Sequence, residues 1–411
     1  MPQRDDRYPS RISSEPQGAS VLDTLSNRVA ISVKGRFHAY DLAGGLHKLG
    51  LLGQLITSYP RSVPLDWGIP KEKILSLLGF EIASRLARVV LPDHASARID
   101  GRLFDAFDRK VAKFLGPFAV VVAWSGMALH TLRRARLLGA KTVLERGSSH
   151  IRFQRQLLED EYERWGIKKG NRLIPSLFGV EKELIEYAEA DAIAVPSEFV
   201  KRSFVSNGIP ESKLIHVPYG VDLEKFKPGV KGDGKFRAIF VGHLSLRKGI
   251  PDLLEAARLS DVELVLVGGI AEEITPFLRG LTKSCKLVGH IPQSRLREYY
   301  NQADVFVIAS IEEGLAMVQL QALACGIPVI CTHNSGGEDI VQDGINGFVV
   351  PIRDPFAIAD RLIRLRENPE LLQAMKSAAY QTARASLSWS QYVFRISREY
   401  ARLEVRPKTP A

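Results

Sequence analysis

The chain has 411 residues, of which 45% are hydrophobic and 25% charged, with a formal net charge of +10. This is an ordinary composition for two or three soluble domains, and no apolar stretch is long and charge-free enough to span a bilayer. Three cysteines form no CxxC pair and nine histidines no HExxH spacing, which argues against a disulfide framework and against a zinc site.

The N-terminus has no apolar core of the kind a secretory signal needs, and residues 1–26 read as a disordered tail. Arg28–Val33 is a β-branched run, followed by the loop KGRFH and by AYDLAGGLHKLG, with Leu42, Leu46 and Leu49 on one helical face. That strand, loop and helix open a doubly wound sheet. Residues 65–115 read as basic, leucine-rich helices. Phe118–Ala123, Thr142–Leu144 and Ala192–Val195 read as buried strands, the last running into Pro196-Ser197, a cap for a helix starting at Glu198. Basic residues thicken at Arg133, Arg134, Arg136, Lys141, Arg146, Arg152 and Arg155. Such a surface attracts phosphates, anionic lipid or nucleic acid, or is simply a solvated helix face. No nucleic-acid-binding motif accompanies it.

A Gly-, Lys- and Pro-rich stretch at 219–235 marks a boundary. Beyond it strands at Phe236–Val241, Val262–Val267, Val305–Ala309 and Pro328–Cys331 alternate with helices at Ile250–Leu259, Arg295–Asn301 and Val318–Ala324. Such alternation implies a second parallel sheet, with ligands at the carboxyl ends of its strands. The expected division is a first Rossmann-like domain over 27–225, a second over 226–385, and a C-terminal helix and tail over 386–411 that crosses back to the first.

The segment SIEEGLAMVQLQALACGIPVI (Ser310–Ile330) is the most informative. A buried strand ends in an acidic pair, a glycine and small residues, and then a helix begins. Backbone N–H groups at a helix start favour an anion such as a diphosphate, and Gly314 and Ala316 leave room for one. The Glu313 carboxylate suits sugar hydroxyls. The plain alternative is an ordinary strand-to-helix turn with an exposed glutamate.

EGLAMVQLQALACGIPV resembles the donor-site motif of the retaining glycosyltransferases of family 4, also called group 1. SGGEDIVQDGINGFVVPIRD, VGHLSLRKGIPDLLEA and PYGVDLEKFKP resemble three further segments of that family. The resemblance covers about residues 190–385. It implies the GT-B fold, two Rossmann-like domains facing a central cleft, and transfer of a sugar from a UDP- or GDP-sugar to a hydroxyl of a glycan, lipid-linked or small-molecule acceptor. By the same resemblance Glu313 holds hydroxyls of the donor sugar and Lys248 neutralises the leaving diphosphate. Gly35, Gly242, His243, His290, Gly314, Leu315, Ala316 and Gln321 complete the donor site. His150 is a catalytic candidate beside the reacting carbon, with Arg146 nearer in register and His38 as a further possibility. The helix after His150 reads as an exposed, ion-paired face.

Three positions depart from the family pattern. Gln321 replaces a glutamate, His243 an arginine, and Leu315-Ala316 a Phe-Gly pair. The family's path is front-side displacement, with no metal required; no DxD motif or other cofactor site is present in the sequence. A cytoplasmic protein of polysaccharide biosynthesis is expected, with peripheral contact to the inner face of the plasma membrane and no nucleic-acid partner. The rivals are an epimerase or phosphorylase on the same fold, and a non-catalytic basic membrane-surface protein.

Overall fold

A computed structural model of the protein describes residues 25–91, 93–168, 174–279 and 284–405. Of the two expected tails, 1–24 and 406–411 lie outside the described residues. Two parallel sheets organise the chain. The first holds β1 (Val29–Val33), β2 (Leu52–Thr57), β3 (Ile74–Ser76), β4 (Val120–Trp124), β5 (Lys141–Glu145), β6 (Ala192–Val195) and β7 (Leu214–His216), in the order β3-β2-β1-β4-β5-β6-β7. Its helices are α1 (Ala39–Lys48), α2 (Gly79–Val90), α3 (Asp93–Phe114), α4 (Leu129–Leu137), α5 (Ile151–Arg164), α6 (Leu177–Glu189) and α7 (Glu198–Val205).

The second sheet holds β8 (Arg237–Val241), β9 (Glu263–Val267), β10 (Cys285–Gly289), β11 (Val305–Ile308), β12 (Val329–Thr332) and β13 (Gly347–Val350), in the order β10-β9-β8-β11-β12-β13. With it go α8 (Ile250–Ser260), α9 (Leu296–Tyr300), α10 (Met317–Ala324), α11 (Pro355–Glu367) and α12 (Pro369–Ser386). The last helix, α13 (Trp389–Val405), leaves this domain and packs on α1 of the first.

Central strands are almost wholly apolar because helices cover both faces of a parallel sheet. Every residue of β1 (VAISV), β4 (VVVAW) and β11 (VFVI) is buried. The strand order reverses between β1 and β4 and again between β8 and β11. The crevice at such a reversal is where open α/β sheets bind ligands.

The strands anticipated from apolar runs occur within a residue or two of their expected ends. β2, β3, β7, β10 and β13 escape that reading; four of them are sheet edges, and β10 exposes Lys286 and Leu287. The region 65–115 is not all helix, since β3 interrupts it before α2 and α3.

The chain crosses between the domains twice, and the two crossings touch. Val221 N–H donates to Leu387 O at 2.7 Å, and Val221 and Ser388 form a parallel bridge. A Cβ on Gly220 would lie 2.6 Å from the Trp389 backbone, and one on Gly45 of α1 would lie 2.4 Å from Val393 of α13. Bare glycines therefore let the returning chain lie against both the linker and the first domain. Among the described residues no helix is long and apolar enough to cross a membrane.

Candidate functional site at the domain junction

The carboxyl ends of β8 and β11 supply two loops. After β8, Gly242 is followed by His243, which is exposed, and by a tight turn over Leu246–Lys248. Gly249 ends that turn in the left-handed region, at φ 64°, and a Cβ there would lie 2.0 Å from the carbonyl oxygen of Ala309, just beyond β11. The turn is thereby pressed against the second loop. In that loop Glu313 N–H donates to Asn334 O at 2.8 Å, while the Asn334 amide donates to Ile311 O at 2.9 Å. The Lys248 ammonium then meets the Glu313 carboxylate directly.

Burial first, and then the Arg247 guanidinium, push Lys248 down to about 7, with Glu312 opposing them. The first turn of α10 carries no side-chain cap at Ala316, and with Gln319 N–H donating to Ala316 O at 2.9 Å, the earlier N–H groups of the turn are left to meet an outside acceptor. The structure therefore brings together a lysine, a carboxylate and an open helix start at a strand-order reversal. That set suits an anion next to a polyhydroxylated group.

Glu312, one residue before, was not anticipated. It is fully buried and accepts four hydrogen bonds: from Ser149 N–H and Ser149 Oγ (both 2.8 Å), from Gln154 Nε2 (3.0 Å) and from Arg247 Nε (2.8 Å). Burial alone would raise its pKa; Arg247, the two Ser149 donors and Arg146 outweigh burial and hold it below the ordinary glutamate value. Ser149 and Gln154 belong to the first domain, so this carboxylate joins the two.

Other contacts cross the same junction. Ser197 Oγ donates to Gly314 O at 2.6 Å, and Glu198 N–H donates to Asp339 Oδ2 at 2.9 Å. Arg36 donates to Gln293 at 3.2 Å. A Cβ on Gly314 would lie 2.0 Å from Gly147 O of the first domain, and one on Gly336 equally close to Gly314 O. Gly314, expected to make room for a phosphate, makes room for the opposite domain's backbone.

The remaining expected donor residues fall as follows. Leu315 and Ala316 are buried where the loop enters α10, and Gln321 is buried on α10, its Oε1 accepting from Tyr300 at 3.1 Å. His290 is exposed just past β10, at the same sheet end as Gly242. Gly35 lies just beyond β1 at φ 122°, with the Phe37 ring beside it.

The first-domain candidates lie inside their own domain rather than exposed on the cleft. The His150 ring packs against Tyr187 and Phe204 with 1% exposure, and burial, then Arg146 and Arg152, push it down to about 4. Arg146 is buried in a 2.9 Å pair with Glu183 and bonds to Ser149 O and Gln154. His38 lies 3.3 Å from Glu145 among the rings of Trp124, Tyr219 and Tyr392. All three are buried.

Helix α5 is likewise more than an exposed face. Arg155 pairs with Glu159 as expected, but the opposite side reaches the second domain. Arg164 grips Asp252 with two bonds of 2.8 and 2.9 Å, and the fully buried Glu161 accepts from Arg353 at 2.6 Å. A sequence signal existed in part, since Arg164 and Glu161 sit one turn apart; their partners lie 88 and 192 positions away.

Residues 221–382 match a family described as Glycosyl transferases group 1. The chain is 29% identical over 232 residues to a GDP-mannose-dependent alpha-(1-6)-phosphatidylinositol monomannoside mannosyltransferase of Mycolicibacterium smegmatis, which covers 49% of this chain and 59% of that one. It thus spans less than two thirds of the length of the curated relatives it matches. The structure resembles sucrose-phosphate synthase from Thermosynechococcus elongatus, with a TM-score of 0.67, 19% identity, and coverage of 91% of this chain and 98% of that one. It also resembles Anabaena HepE in complex with UDP, with a TM-score of 0.65, 13% identity, and coverage of 90% and 99%. The two facing parallel-sheet domains are the GT-B fold.

Proposed function

We propose, on the premise that residues 221–382 belong to glycosyl transferases group 1, that the whole chain is a retaining glycosyltransferase. It transfers a sugar from a UDP- or GDP-sugar to a hydroxyl of a glycan, lipid-linked or small-molecule acceptor. The observation that carries this reading is the Lys248–Glu313 contact at the domain junction, on loops held in place by Gly249 and Asn334. The structurally similar Anabaena HepE is seen in complex with UDP, and a sequence relative is named as GDP-mannose-dependent, which supports a nucleotide-sugar donor without choosing the base.

In this reading the donor separates the pair. Lys248 turns to the diphosphate, and Glu313 accepts from sugar hydroxyls. Negative charge grows on the diphosphate as the anomeric bond breaks, and a fixed cation there stabilises the transition state more than the ground state. The uncapped start of α10 adds N–H donors. The departing diphosphate assists in taking the acceptor proton, so the step needs no metal. Buried Gln321 offers an amide to the ribose while Tyr300 fixes its other end.

The acceptor is reached from the first domain, at an anionic lipid surface. Helix α2 turns its apolar side outward: Ile82, Leu86, Val89 and Val90 are exposed, while Glu81, Ser84 and Ala87 face inward. Arg85 lies on the exposed side. Aliphatic residues with a cation at their margin suit the interface of an anionic bilayer, which makes the protein peripheral on the cytoplasmic leaflet.

Calorimetry with UDP and GDP, followed by turnover of the matching nucleotide sugars, tests the reading. Binding of one nucleotide, with nucleoside diphosphate released on transfer to an acceptor, is expected; binding of neither defeats it.

A further inference from the structure

Resting on the transferase reading, we infer that Glu312 is a positioning residue that ties the seating of Arg247 beside Lys248 to closure of the two domains.

Three of the four donors to Glu312 come from the first domain, and the fourth is Arg247. A buried carboxylate is tolerated only when its partners are in place. When the domains part, Ser149 and Gln154 leave with the first domain, and Glu312 keeps Arg247 alone. Water must then replace three protein donors, and the Glu312–Arg247 pair loses its fixed geometry.

The closed arrangement is held from both sides. In the first domain, Arg146 donates to Ser149 O and to Gln154 Oε1, which turns both residues toward Glu312. The Glu312 carboxylate also lies at the start of α5, where the helix dipole favours negative charge. In the second domain, Arg247 O accepts from Ile311 N–H at 2.9 Å, so its turn and the end of β11 move together. The Arg247 guanidinium further reaches Ser148 Oγ at 3.2 Å and lies 3.8 Å from Glu313. It therefore stands next to the proposed leaving-group site only while both domains hold it. His243 occupies the position at which the family pattern has an arginine, and Arg247 is the second fixed cation near Lys248.

A closure device has a kinetic signature that a purely structural residue lacks. Closure excludes water. Loosening it lets a water oxygen, instead of the acceptor oxygen, bond to the anomeric carbon as the bond to the diphosphate breaks; the water proton passes to the departing diphosphate, and free sugar and nucleoside diphosphate leave.

The test compares wild type, Glu312→Gln and Ser149→Ala, each checked for folding by thermal melting. Transfer and donor hydrolysis are measured together, and the radius of gyration is measured by small-angle scattering with and without UDP. In Glu312→Gln we expect transfer kcat to fall at least about tenfold, donor KM to stay within roughly threefold, and the hydrolysis-to-transfer ratio to rise at least about threefold. The radius of gyration in UDP should exceed that of wild type. Ser149→Ala should shift each quantity the same way by less, and it carries the test if Glu312→Gln does not fold. A folded variant with the wild-type ratio and wild-type compactness overturns the inference. If wild type transfers no sugar from any donor, the transferase reading fails. The scattering comparison still decides the latch, because unchanged compactness overturns it.

Discussion

The two halves of the junction use polar residues in opposite ways. On the second domain, the loops after β8 and β11 set Lys248 against Glu313 and leave His243 exposed. On the first domain, the corresponding loops turn theirs inward: His150 into an apolar cluster, Arg146 onto Glu183, and His38 onto Glu145. The second domain thus presents the chemistry of the proposed site, and the first acts on it by position, through Ser149, Gln154 and Gly147. A charged residue near a cleft is therefore weak evidence of a role until its partners are known.

The most direct way to break this contrast is to remove the second-domain pair. Lys248→Ala and Glu313→Ala should each lower turnover roughly 100- to 1000-fold, by steady-state assay, with melting temperatures close to wild type. Activity near wild type in either folded variant would mean the site lies elsewhere.

Gly314→Ala sharpens the contrast from the packing side. The added methyl runs into Gly147 O, a backbone atom that cannot swing away. Turnover should fall about ten- to a hundredfold through impaired closure, with nucleotide affinity less affected. A crystal structure with the domains closed as in wild type would refute this.

The pH response should be smaller. Lys248 is pushed down to about 7, so the free protein loses that charge as pH rises through 7. A bound diphosphate favours the charged form. UDP binding should therefore take up a proton above pH 7 and weaken toward pH 9, by at most roughly tenfold per pH unit. Calorimetry in two buffers of different ionisation enthalpy measures the uptake, and Lys248→Arg should abolish it.

The smallest kinetic effect belongs to His150. His150→Phe should leave turnover within about twofold, as expected for a packed side chain. Its folded pKa of about 4 lies below the ordinary 6.5, so the unfolded chain binds the proton that the folded chain refuses. Stability from this group is complete above pH 6.5 and declines as pH falls toward 4. The variant should unfold less readily on acidification than wild type does. Loss of activity in a folded His150→Phe protein would restore His150 to the site and end the contrast.

Much of the architecture was legible in sequence, because a parallel sheet needs continuous apolar strands and those runs survive as local patterns. That Lys248 and Glu313 come together was legible for a related reason: each sits in a short segment whose neighbours fix its loop. Glu312 was not. It stands beside Glu313, and nothing local separates one acid from the other; its partner Ser149 is 163 positions away. The same holds for Gly314, where a tight turn and a close interdomain contact require the same residue. The direction of His150 was not legible either, since a histidine at the end of a strand can point to the cleft or, as its ring does here, to the core.

The paired crossings at Val221 and Leu387–Ser388 bear on how the protein comes apart. The largely exposed 229–235 segment is an inviting place for a protease. Because α13 lies on α1, severing the chain there leaves two fragments clasped together: the C-terminal piece carries a helix embedded in the N-terminal one. A nicked protein should run as two bands under denaturing conditions and elute as one species in native buffer. Expressing the halves separately strands α13 without its seat, so the domains are separate in architecture but not in inheritance.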